Sequence, residues 1–226
     1  MADMHTDIPV LAIDGPGGAG KGTVSRAVAR HLGWHFLDSG AIYRALAIAV
    51  IDRGIALNDA VAMATVAGDM VLCFEAGEPP VVRLDEVDIS PRLTTEETGV
   101  VASQIAACAP VRQALLQKQR DFRQWPGLVA DGRDMGSVVF TDARWKIFLT
   151  ASVEIRAERR YRQLKQKGLN VNLDRLKMEL EERDRRDRER AEAPLIQVPE
   201  AVLIDTSELD IAEAIARCLQ VVGPTA

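Results

Sequence analysis

The segment Asp14-Gly15-Pro16-Gly17-Gly18-Ala19-Gly20-Lys21-Gly22-Thr23 gathers glycines, a lysine and a hydroxyl directly behind a short apolar run. Glycines let the backbone curl around an anion and aim several N–H groups at it, and a helix that follows adds its positive end. The segment reads as a phosphate-binding loop in which Lys21 reaches the outer phosphates of a nucleotide. The standard form of this loop places Ser or Thr immediately after the lysine. Here Gly22 intervenes and the hydroxyl arrives at Thr23, so a direct hydroxyl-to-magnesium contact does not transfer to Thr23. Gly15, Gly17 and Gly20 also satisfy GxGxxG, and Asp38 stands where a dinucleotide fold places its ribose-binding acid. That motif asks for no lysine inside the helix, and the full GAGKGT string decides for the phosphate loop.

Two further apolar runs end in residues suited to a second anion. His35 to Leu37 leads into Asp38-Ser39-Gly40-Ala41-Ile42-Tyr43-Arg44. Ser39 is expected as a helix N-cap, and Arg44, about one and a half turns later, can turn toward the same strand end. Alone, this segment reads equally as a capped helix with a surface arginine. Leu128 to Ala130 leads into Asp131-Gly132-Arg133-Asp134-Met135-Gly136. An acid, a planar cation and a second acid at one strand end suit, in that order, magnesium-bound water, a phosphate and the edge of a base. Toward the C-terminus, Arg183, Asp187 and Arg190 share one helix face, and Arg156, Arg159 and Arg160 follow another strand at helical spacing. Glu154 with Glu158, and Glu179 through Asp187, interleave acid with base, so most of this stretch reads as a solvated, ion-paired surface. Arg159 is the arginine assigned to the nucleotide-donor side.

The elements that must hold these groups follow from hydrophobic patterning. Val10 to Ile13, His35 to Leu37, Leu128 to Ala130, Ile147 to Leu149 and Val202 to Ile204 form five short apolar runs separated by helix-like segments. Such alternation predicts an α/β fold with a five-stranded parallel sheet, whose ligands collect at the carboxyl ends of the strands. Two regions break the rhythm. Between Met70 and Thr95 the text VLCFEAGEPPVVRLDEVDI predicts an inserted β-hairpin turning at Gly77, Pro79 and Pro80. From Glu154 to Arg190 two charged helices are expected, joined by a short turn near Gly168 and Asn170. With 226 residues, 47% of them hydrophobic, the chain suffices for one domain, 1–226, with an insert over about 63–103 and an arginine-rich lid over about 154–192.

A net charge of −5 gives no electrostatic match to a nucleic-acid backbone or an anionic membrane. Cys73, Cys108 and Cys218 lack both metal-type spacing and an even count, which excludes a zinc cluster and a disulfide framework. Met1 to Asp7 has no basic-then-apolar stretch, and the apolar stretch Ala45 to Ile51 is too short to span a bilayer. A cytoplasmic monomer acting on small molecules is expected. No His is needed, and His31 and His35, flanking Trp34, read as structural or exposed.

The strings IDGPGGAGKGT, LDSGAIYR, ADGRDMG and RDRRDRER occur in this order over nearly the whole chain. The combination resembles the bacterial cytidylate kinases, a P-loop nucleoside monophosphate kinase family, and the excursion after Gly68 is similar to that family's insert. The resemblance implies a three-layer P-loop NTPase fold and transfer of the γ-phosphate of ATP to CMP and dCMP. It implies that Gly15, Pro16, Gly17, Gly18, Ala19, Gly20, Lys21, Gly22 and Thr23 hold ATP. Mg2+ then travels with ATP and is bound by no side chain directly, with water linking it to Asp131 or Thr23. Arg44, Arg133 and Arg190 grip the acceptor phosphate beside Ser39; Ser103, Arg112 and Asp134 read the cytosine; Arg183 and Asp187 touch the sugar; Asp131 also belongs to the CMP-binding set. Lys21, Arg133, Arg159 and Arg190 are the groups assigned to catalysis. Read without the family, Ser103 is equally a small polar helix residue and Arg112 a solvated first-turn side chain. Cytosine presents an amino donor beside two acceptors, which suits a carboxylate paired with a cationic or hydroxyl donor; uracil reverses part of that pattern. A kinase of the same loop type acting on UMP, AMP or shikimate, and a non-enzymatic nucleotide switch, are the competing readings.

Overall fold

A computed structural model of the chain describes residues 7–75, 81–166 and 168–223. In chain order it forms β1 (Val10–Asp14), α1 (Lys21–Leu32), β2 (His35–Asp38), α2 (Ser39–Asp52), α3 (Ala60–Asp69), β3 (Leu72–Glu75), β4 (Val81–Leu84) and β5 (Val87–Asp88). A 3-10 turn at Arg92–Thr94 precedes α4 (Glu96–Ile105), α5 (Ala109–Arg120), β6 (Leu128–Gly132) and a π-helical turn at Met135–Val139. Then come β7 (Trp145–Thr150), α6 (Val153–Gln166), α7 (Leu173–Glu189), β8 (Val202–Asp205) and α8 (Ile211–Val222). The chain divides into two compact units, one holding it up to Leu37 and again from Phe122, the other spanning Asp38–Asp121.

In the first unit the five expected strands form one sheet in the order β2-β6-β1-β7-β8. β1 pairs in parallel with β6 on one side and β7 on the other, and β8 pairs in parallel with β7. The α/β class and the parallel sheet are therefore as patterning predicts. Leu11, Ile13, Val129, Ile147, Leu149 and Ile204 point from the sheet into a core closed by Val24, Val28 and Ala29 of α1 and Ala214, Cys218 and Val222 of α8. Burial of branched side chains on this scale is the main stabilising term, at roughly 1.5–3 kcal/mol for each one fully enclosed. The chain leaves β1 toward one edge of the sheet and later crosses to the other, so the carboxyl end of β1 is the point where the strand order reverses. Register places Asp14 of β1 beside Gly132 of β6 and Phe148 of β7, which brings the three strand ends to one edge.

α6 and α7 pack against each other as the expected charged pair, turning through Gly168 in the left-handed region (φ 77°). Asn172 caps α7 by accepting from the Arg175 amide.

The second unit holds α2 to α5 and a small antiparallel sheet ordered β3-β4-β5. The expected hairpin is thus three-stranded rather than two-stranded. Its second turn is made by Asp85 and Glu86, both with positive φ (48° and 71°), which suits a two-residue connection twisted to match its strands. Asp85 is held there by mutual bonding with Val71: its amide donates to the Val71 carbonyl and its carboxylate accepts from the Val71 amide, each at 2.9 Å. The other expected turn, at Gly77, Pro79 and Pro80, lies outside the described residues.

Candidate active site

The loop after β1 owes its path to glycine. Gly15 has φ 149°, and a methyl group there would collide with the Leu149 carbonyl of β7. Gly20 adopts φ 93° as it hands the chain to α1, whose first bond runs from the Val24 amide to the Gly20 carbonyl. Lys21, the first residue of α1, folds back over the loop; its buried Nζ donates to the Pro16 carbonyl at 3.0 Å and lies 3.9 Å from Asp131 Oδ1. Burial, and then the Arg133 guanidinium, push the Lys21 ammonium down to about 7, against the pull of Asp131. The first turn of α1 also approaches Asp131, because a methyl group on Gly22 would stand 3.4 Å from Oδ2. Thr23 is exposed on that turn.

Guanidinium groups also approach the loop. A methyl group on Gly17 would come within 3.4 Å of Arg133 Nη2 and 3.6 Å of Arg183 Nη1. Arg133 Nε donates to Asp187 Oδ2 at 2.9 Å. Burial by itself raises the Asp187 carboxyl, but Arg133 and Arg183, with Arg190, hold it below the usual carboxylate range. Arg190, the C-cap of α7, donates to the Ala193 carbonyl at 2.6 Å and lies 3.7 Å from buried Asp134. Lys21, Asp131, Arg133, Asp134, Arg183, Asp187 and Arg190 are thus brought together around one glycine loop within the first unit. Opposed charges at this density, held in a buried setting, form a cradle for a polyanion.

Arg159 stands apart from that cluster. Its Nη2 donates to the Thr206 carbonyl at 2.6 Å, and its Nη1 reaches Thr206 Oγ1 at 3.1 Å and the Ala19 carbonyl at 3.5 Å. Thr206 Oγ1 in turn meets the Ala19 carbonyl at 3.0 Å. Arg159 therefore braces the far end of the loop against the turn after β8.

The second unit carries the other expected acceptor residues. Asp38, not Ser39, caps α2, accepting from the Ala41 amide at 2.9 Å. The extended backbone of Asp38 and its longer side chain suit the cap, which leaves the buried Ser39 hydroxyl to donate to Gln119 Oε1 at 2.7 Å. Arg44 turns back over the helix start, since a methyl group on Gly40 would lie 3.2 Å from Asp38 Oδ1 and 3.5 Å from Arg44 Nη1. Arg112 Nη1 donates to Tyr43 Oη at 3.2 Å and to the Ala106 carbonyl at 3.3 Å, with its guanidinium over the Tyr43 ring. Ser103 Oγ is buried and has no hydrogen-bond partner among the described residues, an orphan that a ligand atom can satisfy.

Three structural contributors carried no assignment from sequence. Asp14 is buried and receives the Met135 and Gly136 amides at 2.8 Å each, so it fixes the turn that follows Asp134. Burial outweighs those two bonds and pushes its carboxyl up to about 7. Arg156 is committed to the loop, to α7 and to the Ala151 carbonyl after β7, and Gln119 holds Ser39 across a separation of 80 residues. Asp14 was visible only as the polar end of an apolar run, and Arg156 only as one arginine among many.

A family model described as cytidylate kinase matches residues 11–223. The chain is 60% identical to a cytidylate kinase of Methylococcus capsulatus over 97% of its own length and 99% of that protein's. It is 50% identical to one of Klebsiella pneumoniae, over 96% of each chain, and 51% identical to one of Aeromonas salmonicida, over 93% of this chain and 92% of the other. Matches of this extent, on a chain whose glycine loop, strand-end acids and arginines lie as described, mean that it belongs to the cytidylate kinase family.

Proposed function

We propose that the chain transfers the γ-phosphate of ATP to CMP and dCMP, giving ADP with CDP or dCDP. The observation that carries this reading is the gathering of Arg133 and Arg183 at Gly17 and of Lys21 at the Pro16 carbonyl, with the Asp134–Arg190 pair beside them. ATP takes loop residues 15 to 23, with Lys21 on its outer phosphates. Arg44, Arg133 and Arg190 take the acceptor phosphate beside Ser39; Ser103, Arg112 and Asp134 read the cytosine; Arg183 and Asp187 meet the sugar. A carboxylate at Asp134 accepts from the cytosine amino group but meets a carbonyl oxygen on uracil, and the unsatisfied Oγ of Ser103 supplies a hydroxyl for the base.

Phosphoryl transfer depends on in-line placement and on neutralising charge that spreads over the transferred group. The chain supplies one cation on the donor side, Lys21, and guanidinium groups on the acceptor side. No general base is required, because the attacking phosphate oxygen is already ionised. Mg2+ bound with ATP supplies charge neutralisation at the donor phosphates. Asp131, beside Lys21 and the first turn of α1, or exposed Thr23 would hold its water ligands. Arg159 serves the donor side by bracing Ala19, and the charged α6–α7 pair covers bound nucleotide against water. No single helix among the described residues is long and apolar enough to cross a membrane; the enzyme works as a cytoplasmic monomer on small nucleotides.

A coupled assay of ADP formation with CMP, dCMP, UMP, AMP and shikimate tests the reading. Turnover is expected to be fastest with CMP and dCMP. Faster turnover of another acceptor overturns the substrate assignment, and ATP binding without turnover of any acceptor points instead to a nucleotide switch.

A further inference from the structure

Three ion pairs tie the C-terminal part of α7 to the phosphate-loop side of the first unit. Arg133 meets Asp187 at 2.9 Å, Arg190 lies 3.7 Å from Asp134, and Arg156 Nη2 donates to Asp184 Oδ2 at 2.6 Å. The first two pairs use residues that the proposed function assigns to the acceptor nucleotide. A phosphate arriving on Arg133 and Arg190 competes with Asp187 and Asp134 for the same cations, so both ties loosen when the acceptor binds. The third pair contains no such residue.

Arg156 and Asp184 are both almost fully buried. The guanidinium is used in full: Nε donates to the Ala151 carbonyl at 2.9 Å, Nη1 to the Gly17 carbonyl at 3.0 Å, and Nη2 to Asp184. A single planar group thereby joins the end of β7, the middle of the phosphate loop and α7. Gly17 is the residue that Arg133 and Arg183 face, and Asp184 is flanked by Arg183 and precedes Asp187 by three residues. Asp184 Oδ1 is buried without a hydrogen-bond partner among the described residues, so the pair is not optimised for stability. A buried ion pair of this kind carries a desolvation penalty and is best explained by the geometry it imposes.

The rest of the helical pair is held differently. Between the two helices Lys177–Glu154 is a solvent-exposed pair, and Arg162–Glu158 and Arg175–Glu179 are exposed pairs within α6 and within α7. Exposed pairs contribute little and break readily.

We infer that Arg156 and Asp184 form a positioning pair that keeps the C-terminal part of α7, with Arg183, Asp187 and Arg190, fixed to the Gly17 carbonyl whether or not nucleotides are bound. Any closing motion of the α6–α7 pair is then confined to its distal part, around Gly168 and the start of α7. The acceptor-side arginines stand in place before the substrate arrives; they are not delivered by closure. This inference rests on the proposed assignment of Arg183, Asp187 and Arg190 to the acceptor nucleotide.

The test compares Asp184→Asn with Arg156→Lys in steady-state kinetics, varying CMP and ATP separately. Asp184→Asn leaves the bonds from Arg156 to Gly17 and Ala151 in place and replaces the charged tie to α7 with a weaker neutral one, so that α7 depends on the two pairs that the acceptor loosens. It is expected to lower kcat/KM for CMP by about 100-fold, the scale of a misplaced contact, while leaving KM for ATP unchanged. Arg156→Lys also loses the fork on the loop carbonyl and is expected to impair both substrates. A general loss of folding moves both constants in both variants and contradicts the inference, as does an Asp184→Asn enzyme with wild-type CMP kinetics. Hydrogen exchange on the wild-type chain gives a second reading that needs no variant to fold. Amides of residues 183–189 are expected to be protected without nucleotide and unchanged when ATP and CMP are added, with added protection confined to about 168–178. Protection of 183–189 that appears only with nucleotide overturns the inference. Absence of CMP turnover by the wild type would overturn the substrate assignment instead, and the exchange pattern would still report on the anchor.

Discussion

Binding of ATP to the free enzyme is expected to draw a proton onto Lys21. The ammonium is buried, faces the Arg133 guanidinium, and is pushed down from 10.5 to about 7, with Asp131 at 3.9 Å only partly compensating. A triphosphate on the loop reverses that balance by placing several negative charges against the same nitrogen. At pH 8 about nine in ten free-enzyme lysines are neutral on this basis, so about 0.9 proton is taken up per ATP bound; at pH 7 the uptake from this group is about 0.5. The same linkage weakens apparent ATP affinity by more than an order of magnitude between pH 7 and pH 9. Calorimetry of Mg-ATP binding at pH 8 in two buffers of different ionisation enthalpy measures the uptake directly. Lys21→Met is expected to abolish it. The sign for stability follows from the same shift: the unfolded chain keeps this proton up to about 10.5 and the folded chain loses it near 7, so stability rises with pH across that window. Lys21→Met should therefore be more stable than wild type at pH 6, with the advantage fading toward pH 10. Zero proton uptake at pH 8, with ATP affinity flat from pH 7 to 9, refutes the argument that burial and Arg133 dominate at this nitrogen.

Asp134→Asn removes a charged acceptor from a buried position while keeping its shape. Losing a hydrogen bond to a charged group at about 1.5–3 kcal/mol lowers kcat/KM for CMP by about 10- to 100-fold, and UMP turnover relative to CMP should rise, as competing-substrate assays will show. Asp14 has the opposite shift from most carboxylates: burial lifts it from 3.8 to about 7, so wild-type stability falls as pH rises from 4 to 7. In urea titrations at stepped pH, Asp14→Asn should flatten that slope; an unchanged slope would show that another group is responsible. Gly15→Ala forces a side chain into the Leu149 carbonyl at a φ of 149°. Strain of about 1–3 kcal/mol is expected, lowering Tm by roughly 2–12 °C in calorimetry.

The sheet was legible because each of its strands is an apolar run that ends abruptly in a polar residue or glycine. That pattern is local, and the central strands β1 and β6, buried along their whole length, produce it directly. The three-stranded insert was read as two-stranded because its second turn uses Asp85 and Glu86, neither of which is the glycine or asparagine that signals positive φ. Ser39 was placed as the cap of α2 on its hydroxyl, yet Asp38 one residue earlier has the extended backbone a cap requires. The hydroxyl has a partner 80 residues away, Gln119, that no local pattern reveals. Lys21, Asp131 and Arg133 were legible because their chemistry is written in short motifs at strand ends. Arg156 was not, because among so many interleaved charges only burial distinguishes a structural guanidinium from a solvated one, and burial depends on how α6 meets the loop. Arg159 looks from sequence like a ligand-facing arginine, whereas its bonds go to Ala19 and Thr206.

The central claim is that residues 15 to 23 hold the donor triphosphate and that Lys21 neutralises the charge that develops as the γ-phosphate leaves. Steady-state rates of ADP formation by Lys21→Ala, with ATP and CMP both saturating, test it most directly. The account predicts a fall in kcat of about 100-fold or more, the scale seen when one preorganised charge-stabilising group is removed. A Lys21→Ala enzyme that turns over at the wild-type rate would contradict it.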